Sequence, residues 1–229
     1  MSMSTSRIAR AVAAKDLRIE LRSRVVTNQV LPFSGLVMIM FAFALDNDDV
    51  LQRTAGGLVW LATLFSLFIL VQRTFAVETY DGALDSLRVA GVNPQGIFLG
   101  KSVALFVQLL VLESVLFVAA VVLYRVNVNG SGVVLLVTCV LCATAGLAFV
   151  GTLYGGLTAG ARGRETLLPL LLLPVVAPVL ICATRATESA FRSGGVTVGE
   201  GWPWVAVLAV FAAVFGLGGL LSFGSLIEE

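Results

Sequence analysis

Residues Gln72 to Lys101 read QRTFAVETYDGALDSLRVAGVNPQGIFLGK, the one long run between two apolar segments that concentrates paired charges and turn residues. From Val77 to Ala90, helical spacing gathers Val77, Tyr80, Leu84 and Leu87 on one arc and Glu78, Asp81, Asp85 and Arg88 on a neighbouring arc. One arc can lie on apolar material while the other faces water or a partner. Asn93-Pro94 then stops the helix, because the residue before proline avoids the helical region and proline lacks a donor. Two readings fit this pattern. It is either a charged loop that solvates two helix ends, or a coupling helix that passes movement from a soluble motor to membrane helices.

The wider composition places the stretch at a membrane. The chain has 229 residues, 58% hydrophobic and 13% charged, with a mean hydropathy of +0.98, which reads as a polytopic membrane protein. Its first residues carry Arg7, Arg10, Lys15, Arg18, Arg22 and Arg24 ahead of any apolar run, so insertion is expected to rely on the mature spans rather than a cleaved signal. Cys139, Cys142 and Cys182 lie inside apolar segments and behave there as small hydrophobes. No histidine is present, which argues against metal catalysis and histidine-based triads.

Residues 1–26, helical from about Arg7, read as an amphipathic interfacial helix, with Arg7, Arg10 and Arg18 on one side and Ile8, Val12 and Ile19 on another. Apolar spans are expected at about 27–45, 56–75, 97–124, 131–159, 167–184 and 203–226, with the coupling helix at 77–90. The first is interrupted early by Pro32 and Gly35. Trp60 sits near the expected outer end of the second, where interfacial aromatics are favoured. Pro169, Pro174 and Pro178 predict a kinked, locally opening fifth helix, and Arg185 to Gly201 a polar outer loop. With the N-terminus inside, Arg7, Arg10, Lys15, Arg18, Arg22, Arg24, Arg73, Arg88, Lys101, Arg162 and Arg164 fall inside, against Arg53, Arg125, Arg185 and Arg192 outside. The positive-inside rule then puts both termini and the opening stretch in the cytoplasm.

Gly96-Ile-Phe-Leu-Gly100-Lys101-Ser102 is one residue short of a Walker A spacing and follows no strand, so Lys101 is read as an interfacial anchor reaching the headgroups. Glu113 is the one acid deep in a span and is expected to face the bundle interior or carry its proton, with Gln108 or Ser114 as neighbours. Thr144, Ala148, Thr152, Gly156 and Gly160 recur at four-residue steps beside Gly151, Gly155 and Ala159, a row that lets helices approach closely in lipid. Whether that row packs within the chain or on a partner is open. An ion-coupled carrier working through Glu113 remains a rival, weakened by the lack of a visible inverted repeat.

Four pieces together resemble the CcmB family of haem exporter B proteins. They are KDLRIELRSR (Lys15 to Arg24), GLVWLATLF (Gly57 to Phe65), RETLLPLLLLP (Arg164 to Pro174) with Pro178, and the opening stretch. In that stretch the carriers are Arg73, Glu78, Asp81-Gly82, Leu84-Asp85 and Ile97 to Lys101. The resemblance implies an all-α, six-helix ABC-2-type membrane subunit of a bacterial inner-membrane complex for cytochrome c maturation. It implies a separate cytoplasmic ATPase (CcmA-like), a haem-handling membrane subunit (CcmC-like), a small single-span subunit (CcmD-like) and a periplasmic haem chaperone (CcmE-like). ATP hydrolysis in the partner would be linked to release of the haem-loaded chaperone, so this subunit is expected to be non-catalytic. The coupling residues would be Arg73, Glu78, Tyr80, Asp81, Leu84, Asp85, Leu87 and Arg88. Haem and ATP would fall to the partners, with no cofactor or metal on this chain, which lacks the commonest axial haem ligand. The nearest rival is a generic ABC-2-type exporter for lipid, drug or polysaccharide.

Overall fold

Helix ends here are set by a few local devices. Asn47 Oδ1 accepts from the Asp49 and Val50 N–H groups at 2.9 and 3.4 Å, and Asp48 and Asp49 in the first turn complement the helix dipole. Asn93 Oδ1 accepts from the Gln95 N–H at 3.0 Å, and Pro94 follows at a position where a missing N–H costs nothing. Three helices end instead on arginines in the left-handed region, Arg24, Arg125 and Arg192, at φ 52°, 51° and 55°. That conformation costs a non-glycine residue about 1–2 kcal/mol.

The computed structural model describes residues 4–45, 47–80, 93–126, 128–159 and 163–228, with side chains except at 76–80, 164 and 225–228. Among these residues the chain forms α-helices and short helical turns and no strand. The helices are α1 (Thr5–Ser23), α2 (Leu31–Ala44), α3 (Asp48–Tyr80), α4 (Pro94–Tyr124), α5 (Gly130–Thr158), α6 (Arg164–Phe191) and α7 (Trp202–Glu228). Six stretches are long and apolar enough to cross a membrane: Val26–Ala44, Asp48–Phe75, Pro94–Tyr124, Gly130–Thr158, Glu165–Phe191 and Val198–Gly224. The protein is an all-α, multi-pass membrane protein.

Several ends differ from the sequence reading. A π-helical turn at Val26–Val30 precedes α2; it lies where the Pro32 ring would press on the Asn28 carbonyl of a regular helix. The second span begins at Asp48 because Asn47 caps it. Its helix also runs unbroken through Val77–Tyr80, so these residues continue α3. The expected outer loop starts late, since α6 extends to Phe191. Ala186, Thr187, Ser189 and Ala190 are buried there, so polar residues turn inward and the helix need not stop. The prolines do not open α6 either. Pro174 and Pro178 sit on its exposed face, while Leu168, Leu172, Val176 and Val179 face inward. Trp60 is not interfacial: it is 1% exposed, and its indole N–H donates to Thr187 Oγ1 on α6 at 2.9 Å.

Helix α5 is central, touching α3, α4, α6 and α7, while α2 is peripheral against α3 and α4. Its small residues serve two neighbours. A Cβ on Gly155 would lie 2.5 Å from the Phe75 ring of α3, and one on Gly156 would lie 2.8 Å from the Phe223 ring of α7. The α5–α7 contact is reciprocal, since a Cβ on Gly216 of α7 would lie 3.0 Å from the Phe149 ring. Phe98 joins it from α4, stacked on Phe149 at 6.0 Å and tilted on Phe223 at 5.3 Å. The small-residue row therefore packs within the chain.

Gly132 on α5 is set against the Ala190 carbonyl of α6, whereas nothing lies within 4 Å of a Cβ on Gly130. Gly132→Ala is expected to destabilise by about 1–3 kcal/mol, because backbone must shift. Gly130→Ala should be close to neutral. Thermal unfolding of the purified protein distinguishes them.

Candidate functional site

The opening stretch enters and leaves the described structure at one end of the bundle. There α3 ends, α4 begins, and α1 lies across α4. Row spacing places Ile8, Val12 and Asp16 on one face of α1, all buried. Gly96 and Gly100 of α4 receive that face. A Cβ at Gly96 would lie 2.7 Å from Ile8 Cγ2, and one at Gly100 would lie 2.6 Å from Val12 Cβ. Asn93 adds a polar tie by donating from Nδ2 to Thr5 Oγ1 at 3.2 Å.

Directly after Gly100, Lys101 is 1% exposed. Its ammonium donates to Asp16 Oδ2 at 3.4 Å and lies 4.7 Å from the centroid of the Phe75 ring. Lys15 approaches Asp16 Oδ1 from the other side at 3.1 Å. Lys101 therefore does not reach out to headgroups. The glycine pair brings α1 so close that its nearest counter-charge is inside the protein. An acid in the apolar row of α1 was the sequence signal for this pairing.

Arg73 lies beside this junction, partly buried, in a small niche of about 30 Å³ with Lys15, Asp16, Glu20, Thr74 and Gln108. Glu20 Oε1 accepts from the Val26 N–H at 2.6 Å, fixing the passage from α1 into the first span. Gln72 Nε2 donates to the Glu165 carbonyl at 3.1 Å, joining α3 to the start of α6. The elements that flank the expected coupling segment are thus fastened to one another. Glu78 and Tyr80 lie on the last turn of α3, with side chains outside the described residues. Asp81, Leu84, Asp85, Leu87 and Arg88 fall outside the described residues altogether, as does Gly160.

Deeper in the bundle, Glu113 is fully buried and faces α5, where the Thr144 hydroxyl meets Glu113 Oε2. That hydroxyl also approaches the Val140 carbonyl at 2.6 Å. Gln108 and Ser114 are not partners: Gln108 lines the Arg73 niche, and the Ser114 hydroxyl donates to the Leu110 carbonyl at 2.7 Å. Thr152 is buried one small-residue step along α5 from Ala148. All three cysteines are free, and the Cys139 thiol donates to the Ala183 carbonyl at 3.7 Å. Among the described residues, no group of three or more cysteines and carboxylates is placed to hold a metal ion.

Residues 7–221 match the CcmB protein family. The chain belongs to the CcmB family. Similar proteins named heme exporter protein B include that of Rhodobacter capsulatus, 31% identical over 75% of this chain and 78% of the relative. That of Paracoccus denitrificans is 30% identical over 78% and 82%. A more distant likeness is to ABC transporter G family member 20 of Dictyostelium discoideum, 30% identical over 60% of this chain but only 18% of that protein. The matched residues take in most of α1 and of the six spans, Asp16 and Lys101 among them.

Breaking that pair by Lys101→Met leaves Asp16 buried beside Lys15 alone, with an expected loss of about 3 kcal/mol. Adding Asp16→Leu should recover more than half of it. A thermal-unfolding double-mutant cycle reads the coupling, and additive losses would show the two groups to be independent. Glu113→Gln keeps an acceptor for the Thr144 hydroxyl and is expected to preserve function in membranes. A proton-coupled carrier would lose its flux with that change.

Proposed function

We propose that this chain is the membrane subunit of an ABC-type complex for haem trafficking in cytochrome c maturation, driven by ATP hydrolysis in a separate soluble subunit. Membership of the CcmB family, whose relatives carry the name heme exporter protein B, carries this reading. The end of the bundle bearing α1 lies in the cytoplasm of a bacterial inner-membrane protein, in keeping with its excess of arginine and lysine. The ATPase docks there on the segment between α3 and α4. Its work is the release of a haem-loaded chaperone on the far side, in an assembly with haem-handling and single-span membrane subunits.

The architecture suits that division of labour. A force applied between α3 and α4 acts at once on α1 through Lys101 and on α6 through the Gln72 contact. Haem is cargo of the assembly in this reading, and ATP belongs to the soluble partner. The chain's own part is to hold α1, α3 and α4 in one mechanical unit and to present Glu78, Tyr80, Asp81, Leu84, Asp85, Leu87 and Arg88 to the ATPase. Arg73 braces the base of that segment.

The likeness to an ABC transporter G family protein favours a second reading, a generic exporter that moves its own lipid, drug or polysaccharide substrate. The two part company in one assay. Haem-loaded chaperone retained on the purified complex is measured before and after ATP, with the wild-type chain and with Glu78→Lys/Asp81→Lys. ATP is expected to release chaperone from the wild type, and the variant to lose both ATPase co-purification and release. Normal cytochrome c assembly in the absence of this chain, with ATPase activity stimulated by another substrate, would establish the generic exporter. Unchanged ATPase binding in the variant would remove the coupling role of the segment.

A further inference from the structure

The end of the bundle opposite α1 holds a cavity of about 670 Å³ that no part of the functional reading uses. Its walls are the first turns of α3, the α4–α5 turn and the connection from α6 to α7, and its cations are Arg53 and Arg192. Neither arginine has an ion pair among the described residues. Two of the acids at this end are committed, while Asp48 stands exposed beside Asp49. Glu188 pairs with Arg185 at 3.1 Å, and Glu200 Oε1 accepts from both the N–H and the hydroxyl of Thr197, at 3.2 and 2.8 Å. Asp49 alone among the lining residues offsets the two guanidinium groups.

The wall is also held in shape. The Ser193 hydroxyl donates to the Gln52 carbonyl at 3.2 Å, fastening the α6–α7 connection to α3. The Thr197–Glu200 capping box fixes the next turn. Gly194, at φ 69°, supplies the left-handed turn that runs beside Arg53, whose Nε a Cβ there would meet at an ordinary contact distance of 3.6 Å. Arg192 keeps a left-handed backbone at φ 55° to end α6 and turn the chain along the cavity rim.

We propose that this cavity docks an acidic polypeptide segment of a soluble partner, whose carboxylates pair with Arg53 and Arg192. Small-molecule sites are mostly apolar and enclose their ligand. This cavity is open to solution, and Gln52, Asn129, Ser193 and Thr197 join the two arginines along it. Open polar walls with arginine anchors are the chemistry of a protein interface. The assignment of this end to the outer compartment rests on the orientation proposed above; the charge preference does not.

The test uses the full chain in nanodiscs and a fluorescein-labelled decapeptide of alternating Asp, Glu, Gly and Ser, beside its Asn/Gln counterpart, read by anisotropy at two salt concentrations. The acidic peptide is expected to bind at least about fivefold tighter, with the preference shrinking in high salt. Arg53→Gln and Arg192→Gln should each weaken it about threefold, as exposed pairs do. Arg53→Lys should retain most binding, and Asp49→Asn should tighten it, a gain that misfolding cannot mimic. Arg185→Gln, already paired outside the cavity, should change nothing. Equal binding of the two peptides, indifference to Arg53 and Arg192, or an equal loss with Arg185→Gln would overturn the site. Full displacement by succinate at the same carboxylate concentration would overturn the polypeptide assignment. Failure of ATP to release chaperone would remove the functional reading while leaving this binding intact.

Discussion

Burying the ammonium of Lys101 is the constraint from which the α1 end of the molecule follows. A charge taken from water costs several kcal/mol unless it is paired and its remaining donors are occupied. Here the compensation comes from three helices, with Asp16 on α1, the Phe75 ring on α3 and the packed turn of α4 itself. None of these alone would hold the charge. The glycines at 96 and 100 are the geometric condition, because a side chain at either would hold α1 away and leave Lys101 facing lipid. The ion pair therefore specifies an arrangement more than it adds stability, in the sense that only one placement of α1 satisfies it.

A second constraint runs through α5. In lipid the hydrophobic effect does not drive helices together, so close packing and occasional polar ties must. The glycine ridges of α5 accept Phe75 from α3 and Phe223 from α7 on adjoining faces, which makes this helix the common wall of both halves of the bundle. Polar ties lie on the same wall. Thr144 meets Glu113 across the α4 contact, and the Cys139 thiol meets the Ala183 carbonyl across the α6 contact. A carboxyl at such depth persists because it looks inward at a hydroxyl rather than outward at hydrocarbon.

The six spans and the amphipathic α1 were legible because each depends on local composition. The small-residue row was legible as a packing surface, but its partners were not, since sequence spacing carries no address. Span ends were read too short where polar residues continue a helix into the protein, as Thr187 and Ser189 do on α6. Trp60 and Lys101 were misread for one reason. Both are residues that membranes usually hold at their surface, and both find a partner far along the chain, Thr187 and Asp16. The Thr197–Glu200 spacing was a visible capping box in a loop that otherwise showed no pattern. Left-handed arginines at three helix ends had no local signal, because that backbone is ordinarily left to glycine.

Helix α3 links the two ends of the molecule. It is hydrogen-bonded without a break from Asp48 to Tyr80, 33 residues or about 50 Å at 1.5 Å per residue. Near one terminus it carries Asp49, Gln52 and Arg53 in the far cavity, and near the other Arg73 and Phe75 at the Lys101 junction. Hydrogen-bonded turns do not stretch, so a displacement imposed at the junction reaches the cavity as movement of the whole helix against its neighbours. The contacts that resist such movement are uneven. A Cβ on Gly56 would lie 2.9 Å from Thr187 Cγ2 at the α6 crossing, and Trp60 is hydrogen-bonded there, whereas α3 meets peripheral α2 through a lighter contact such as the hydroxyl pair Ser34–Ser66 at 2.9 Å. Movement of α3 must therefore take α6 with it, and the α6–α7 connection that walls the cavity shifts as part of the same body.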